Sequence, residues 1–220
     1  NLFSGERKVE SASDMLDASI KLTLKARANP YVSRGALKLV HALDHFGIDP
    51  SGLVCLDIGA STGGFTQVLL QRGAKKVFAV DVGKDQLHAE VKKDPRVVSF
   101  EKTDARNLTR TEIVEQPDLI VADVSFISLQ LALPRALSLA APGAKLVALV
   151  KPQFEAGRGA VARGVVRDPA VHARVCEDAQ RFVQDAGWTL DGLIASPIEG
   201  GDGNREFLLA AHRGTLAPAT

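Results

Sequence analysis

Cysteine is scarce in this chain: Cys55 and Cys176 are the only two among 220 residues. One falls in a short apolar run and the other in a helical pattern. They read as buried free thiols, not as a disulfide framework, which suits a cytoplasmic protein. No Cys/His cluster has metal-ligand spacing, and the histidines (His41, His45, His88, His172, His212) share no spacing, so no metal is expected. Aromatic residues make up 5% of the chain, too few for a broad base-stacking platform. No uncharged apolar run approaches the roughly 20 residues of a membrane span, and no stretch reads as a secretory signal. The net charge is only +1, so any nucleic-acid binding requires positive charge gathered locally. An initiator Met is also lacking at Asn1, and an N-terminal piece is expected to be missing. What is there, 45% hydrophobic and 24% charged, is an ordinary globular composition. The length suits one α/β domain with an appendage.

The most informative stretch runs from Val54 to Phe65. An apolar run, Val54 to Ile58, ends in glycine; small residues follow, and then Phe65, Val68, Leu69 and Leu70 recur at helical spacing. That pattern predicts strand, tight turn and helix, the nucleotide-binding corner of a doubly wound sheet. At the glycine positions of the dinucleotide pattern stand Gly59, Ser61 and Gly64. The middle glycine normally lets a pyrophosphate approach the backbone, so Ser61 argues for a ligand without phosphates, such as S-adenosylmethionine. Asp57, Ala60, Gly63 and Phe65 belong to the same candidate cofactor turn. A second strand, Lys76 to Asp81, ends in an acid 22 residues past Gly59, close to the spacing of about 20 at which a carboxylate grips a ribose diol. Val82 follows it. N-capping is the alternative role for Asp81.

The rest of the chain extends this alternation. Val97 to Phe100 is a third strand, followed by Asp104-Ala105, where Asp104 either accepts from an adenine amino group or caps a turn. Asp118 to Phe126 is a fourth strand that carries Asp123 to its carboxyl end. Leu129 to Leu139 reads as one helix. Ala144 to Val150 is a fifth strand, delivering Lys151 to the same rim, outside the strand ends where ligands of open α/β sheets sit. Residues 156–167 form a basic loop with Arg158, Arg163 and Arg167, suited to phosphates or else a plain charged surface. Asp168-Pro169 opens a helix to about Ala186. Trp188 to Ala195 and Glu206 to His212 are the last strands. Upstream, Ser33 is the expected N-cap of a helix with Leu37, Val40, Leu43 and Phe46 on its apolar face. Arg34 and Lys38 lie there too, Lys38 taken alone being a solvated lysine. Gly5 to Val9 reads as a turn into a strand, and Ile20 to Leu24 as a half-buried strand.

Five motifs taken together carry a resemblance. They are Asn29-Pro30-Tyr31-Val32-Ser33-Arg34-Gly35, Leu56 to Thr66, Asp123 to Ser128, Lys151 to Glu155, and Asn204-Arg205-Glu206-Phe207. In this order they resemble the TlyA branch of the FtsJ-like ribosomal-RNA methyltransferases, over most of the chain. The resemblance implies a Rossmann-like α/β fold, with a central, mostly parallel seven-stranded sheet and helices on both faces. It implies S-adenosylmethionine as cofactor and methyl transfer to a ribose 2′-hydroxyl of ribosomal RNA within a ribosomal subunit. By motif, the family's Lys-Asp-Lys-Glu tetrad matches Lys38, Asp123, Lys151 and Glu206. Members usually begin with an S4-like RNA-binding module; residues 1–29 resemble its tail, 30–213 the methyltransferase domain, and 214–220 a C-terminal extension. Some members carry a haemolysin label, although nothing here reads as pore-forming.

The chemistry agrees with that resemblance. A ribose hydroxyl needs positioning and a proton acceptor. A lysine amine serves if its pKa, near 10.4 in water, is lowered by a second cation. Lys151 is then the base, with Lys38 as the second cation, Asp123 orienting Lys151, and Glu206 steering Lys38 or the ribose. Arg34 and the loop arginines Arg158, Arg163 and Arg167 would contact RNA. A cytosine C5 enzyme needs a rim cysteine, and amino-group methylation of adenine commonly uses a proline pair where Val124-Ser125 stands here. The alternatives are a nicotinamide-dependent oxidoreductase on a similar sheet, and a non-catalytic or membrane-active protein.

Overall fold

A computed structural model describes strands Leu2–Ser4, Arg7–Lys8 and Leu22–Leu24, and residues 29–157, 161 and 164–215. Contacts divide the chain into two units, Asn1–Pro30 and Tyr31–Thr220. In the first, β1 (Leu2–Ser4) pairs antiparallel with both β2 (Arg7–Lys8) and β3 (Leu22–Leu24). Strand β2 falls within the turn into a strand expected over Gly5 to Val9, and β3 within the strand expected from alternation over Ile20 to Leu24, whereas β1 was not expected.

The second unit begins with α1 (Ala36–Phe46), followed by β4 (Val54–Ile58), α2 (Gly64–Gln71), β5 (Lys76–Val80), α3 (Ala89–Lys92) and β6 (Val97–Phe100). Then come β7 (Leu119–Ala122), α4 (Leu129–Ala132), α5 (Pro134–Leu139), β8 (Lys145–Val150), α6 (Pro152–Glu155), α7 (Pro169–Asp185), β9 (Trp188–Ala195) and β10 (Phe207–Arg213). The sheet order is β6-β5-β4-β7-β8-β10-β9. Neighbours from β6 to β8 run parallel, and β10 lies antiparallel between β8 and β9. Parallel strands covered on both faces read as continuous apolar runs, and β4, β7 and most of β8 are buried throughout. Helices α1 and α2 cover one face through Leu39, Leu43, Val68 and Leu69. Helices α4, α5 and α7 cover the other through Leu129, Leu137, Val175 and Val183.

Four expectations are corrected. Helix α1 starts at Ala36 with Gly35 at the cap position and no side-chain cap, so Ser33 is not its N-cap. Its buried stripe is Ala36, Leu39 and Leu43, while Leu37, Val40 and Phe46 are half-buried: α1 is apolar on most sides, and packing chose a neighbouring stripe. The single helix expected over 129–139 is broken into α4 and α5 at Pro134, whose ring and missing N–H cannot continue a helix. Strand β7 ends at Ala122, and 123–128 form a rim loop in which Phe126 takes φ 64°. The Asp168 cap was legible: its carboxylate accepts from the Ala170 amide at 2.8 Å. Among the described residues, no helix is long and apolar enough to cross a membrane.

Candidate active site

The parallel strands deliver their carboxyl ends to one rim, and sheet direction explains how a residue before a strand joins them. Phe207 pairs with Val150 in the antiparallel β10–β8 ladder. The residue preceding β10, Glu206, therefore lies beside the residue following β8, Lys151. Glu206 is buried and forms an ion pair with Lys38 of α1. Lys38 is thus a buried, paired cation and not a solvated helix lysine. Room for the Glu206 carboxylate comes from Gly200, where a Cβ would collide with it. Asn204 fixes the approach: its amide nitrogen donates to the carbonyls of Gly164 at 2.9 Å and Gly201 at 3.1 Å, and its oxygen accepts from the Val166 amide at 3.2 Å.

The second pair joins Lys151 and Asp123. Lys151 Nζ stands 2.6 Å from Asp123 Oδ1, an ion pair whose angles fall short of a hydrogen bond. The same nitrogen donates to Ser125 Oγ at 2.9 Å. Of the four candidate catalytic residues, Lys38, Asp123 and Lys151 line a cavity of about 260 Å³ together with Ser33 and Ser125. Glu206 does not reach it and touches the cavity only through Lys38.

A larger cleft of about 380 Å³ opens next to this cavity. Asp81, Asp104 and Asp123 line it, with Val82, Ala105 and Ile127 among its apolar walls, and no basic side chain contributes. Asp81 braces the turn by accepting from the Ser61 amide at 2.8 Å and the Gly83 amide at 2.7 Å. Asp104 caps the short turn after β6 through the Arg106 amide at 2.9 Å, and the Arg106 guanidinium holds its carboxyl below the ordinary value. Gly59, Ser61, Asp123 and Ser125 border both spaces.

The candidate cofactor residues do not all reach this cleft. Ala60, Gly64 and Phe65 line the smaller cavity, and Asp57 and Gly63 line neither. Asp57 is fully buried, with Oδ2 accepting from Thr66 Oγ1 at 2.6 Å. Gly63 packs under Leu87 and Val91 at φ 93°, a conformation the turn requires. Arg34 and Arg167 are exposed, and Arg158 and Arg163 lie outside the described residues.

Sequence reasoning passed over Ser125, Phe126 and Glu155. Phe126 is 91% exposed at the cleft and its ring lies 4.9 Å from that of Phe154, tilted by 50°. Glu155, whose carboxyl burial pushes above its ordinary value, accepts from the Leu129 amide at 2.8 Å and ties down the loop that carries both residues. Their membership of two motifs was the available signal. Both cysteines are buried, and burial pushes Cys55 to about 12 and Cys176 to about 11, so neither supplies a thiolate.

Comparison with known proteins gives concordant matches. The sequence model described as FtsJ-like methyltransferase matches residues 31–213. The 16S/23S rRNA (cytidine-2′-O)-methyltransferase TlyA of Mycobacterium tuberculosis is 48% identical over 208 residues, 94% of this chain and 78% of that protein. Hemolysin A of Brachyspira hyodysenteriae is 43% identical over 180 residues, 81% of this chain and 75% of that one. A crystal structure of a protein designated a hemolysin, from Lactococcus lactis, superposes with a TM-score of 0.81 at 45% identity, covering 86% of this chain and 92% of the other.

Proposed function

The chain belongs to the FtsJ-like methyltransferase family, and on that premise we propose that it moves the methyl group of S-adenosylmethionine onto the 2′-hydroxyl of a ribose in ribosomal RNA. The observation that carries this reading is a cleft with three carboxylates and no basic lining, opening beside a cavity lined by two lysines. The first suits a cationic ligand without phosphates, and the second suits the anionic backbone of a nucleic acid. The cleft volume falls in the range of small-molecule sites, roughly 300–1,000 Å³.

When bound, S-adenosylmethionine supplies an electrophilic methyl on a positively charged sulfur. Asp81 would hold the cofactor's ribose diol with lone pairs its two amide bonds leave free. Asp104 would take the adenine amino group, and Val82 and Ala105 would supply the apolar walls. Lys151 would be the base, taking the proton of the ribose hydroxyl as that oxygen accepts the methyl group. Lys151 would then stand as an ammonium beside the Asp123 carboxylate, balancing the positive charge that the cofactor would give up. Asp123 orients Lys151, and Lys38, held by Glu206, positions the ribose. Phe126 offers an exposed ring to the target base. Arg34, Arg158, Arg163 and Arg167 would contact phosphates. Residues 1–29 would be the tail of an S4-like RNA-binding module, and the protein would work on ribosomes in the cytoplasm.

A Lys151→Ala variant tests the assignment. Calorimetry is expected to give an S-adenosylmethionine affinity within about twofold of the parent, and NAD no heat. Transfer of labelled methyl to ribosomal subunits is expected to fall by about 10²-fold or more, with the parent's product identified as a 2′-O-methylnucleoside by mass. Full transfer by the variant overturns the base assignment, and methyl label on a base overturns the choice of acceptor.

A further inference from the structure

We propose that Ser125 is a positioning residue for Lys151, fixing the amine so that its lone pair is left for the ribose hydroxyl. This deepens the reading above and rests on Lys151 being the base. A neutral primary amine has two N–H bonds and one lone pair. Two acceptors stand against Nζ, Asp123 Oδ1 at 2.6 Å and Ser125 Oγ at 2.9 Å. Ser125 takes one N–H bond, the Asp123 carboxylate draws the second towards itself as a close charged neighbour, and the remaining tetrahedral position belongs to the lone pair. With Asp123 alone, the amine turns freely about its Cε–Nζ bond and presents an N–H to the hydroxyl oxygen about as readily as it presents the lone pair. Ser125 borders both the cofactor cleft and the lysine-lined cavity, where the transfer would take place.

The fold holds Ser125 and Lys151 as one body. The turn after β8 contacts the loop after β7 three times in sequence: Lys151 on Ser125, Phe154 on Phe126, and Glu155 on the Leu129 amide. Phe126 at φ 64° turns the chain just beyond Ser125, so the serine leaves the sheet while its hydroxyl stays over the lysine. No such brace is needed merely to satisfy a surface hydroxyl, since Ser125 is exposed.

The test is single-turnover methyl transfer by Ser125→Ala and Ser125→Thr, alone and with Lys151→Ala. Loss of one neutral hydrogen bond at the reacting amine is expected to slow Ser125→Ala by roughly tenfold. The RNA KM and the S-adenosylmethionine Kd should stay within about twofold, and Ser125→Thr, which keeps the hydroxyl, should restore most of the rate. In the Lys151→Ala background Ser125→Ala should cost nothing further, since the two act as a unit. A Ser125→Ala enzyme at the parental rate overturns the proposal, as does a loss confined to KM or cofactor Kd, or an undiminished loss in the Lys151→Ala background. If Lys151→Ala itself transfers methyl normally, the base assignment has failed. If Lys151→Ala is inactive while Ser125→Ala is not impaired, only the role of Ser125 has failed.

Discussion

At Asp57 a carboxyl is fully buried in a strand of apolar neighbours. One oxygen accepts from Thr66 Oγ1 at 2.6 Å, and the other has no hydrogen-bond partner. Burial pushes this carboxyl up to about 7; the Thr66 bond opposes the rise, and the nearby carboxylates of Asp123 and Asp81 add to it. In the unfolded chain the same group titrates near 3.9. Between about pH 4 and 7 the folded state therefore holds a proton that the unfolded state has released, and stability falls as pH rises through that window. Three pH units at about 1.4 kcal/mol each set an upper bound of about 4 kcal/mol, fully lost above pH 7. Asp57→Asn keeps an acceptor for Thr66 and removes the ionisation. Urea unfolding at pH 5 and pH 8 is expected to show a smaller difference between the two pH values for the variant, by about 2 kcal/mol or more. Parallel pH dependences would mean that Asp57 ionises in the folded protein as it does in water.

Elements explain which parts of the site the sequence could disclose. The turn between β4 and α2 was legible because its requirement is local. Gly59 sits at φ 83°, and a Cβ there would lie 2.5 Å from the Asp123 carbonyl oxygen. Gly59→Ala both strains the backbone and pushes the β7 end away from the cleft. It is expected to cost about 1–3 kcal/mol of stability and to weaken S-adenosylmethionine binding by about tenfold or more, read by denaturant unfolding and calorimetry. An alanine variant with parental values for both would show that the rim tolerates the shift. Asp81, Asp123 and Lys151 were legible for a related reason, since each follows an apolar run whose end defines the rim. The burial of Lys38 was not, because its partner Glu206 is 168 residues away and β10 had to be known to run antiparallel. The Lys151–Ser125 bond likewise spans 26 residues between two loops, and no periodicity encodes it. Pro134 is a different case: the break it causes was written in the sequence and was outweighed by the helical spacing around it.

For the whole molecule the decisive quantity is charge. A net charge of +1 supplies no general attraction for RNA, so binding must come from a few placed cations. Arg34 and Arg167 are exposed and available, while the cleft carboxylates repel phosphate. This chain covers 78% of the length of its Mycobacterium tuberculosis relative. Four arginines (Arg34, Arg158, Arg163, Arg167) making one phosphate contact each would give a salt slope of roughly −0.9 per contact. A fourfold rise in salt, from 50 to 200 mM, is then expected to weaken binding of ribosomal RNA by roughly 10²-fold, with dissociation constants of about 1–100 µM at physiological salt. Filter binding across that series measures the slope, and Arg34→Ala or Arg167→Ala should each reduce it by about one. Tight binding that ignores salt would contradict this account, because contacts other than phosphates would then hold the RNA on this chain.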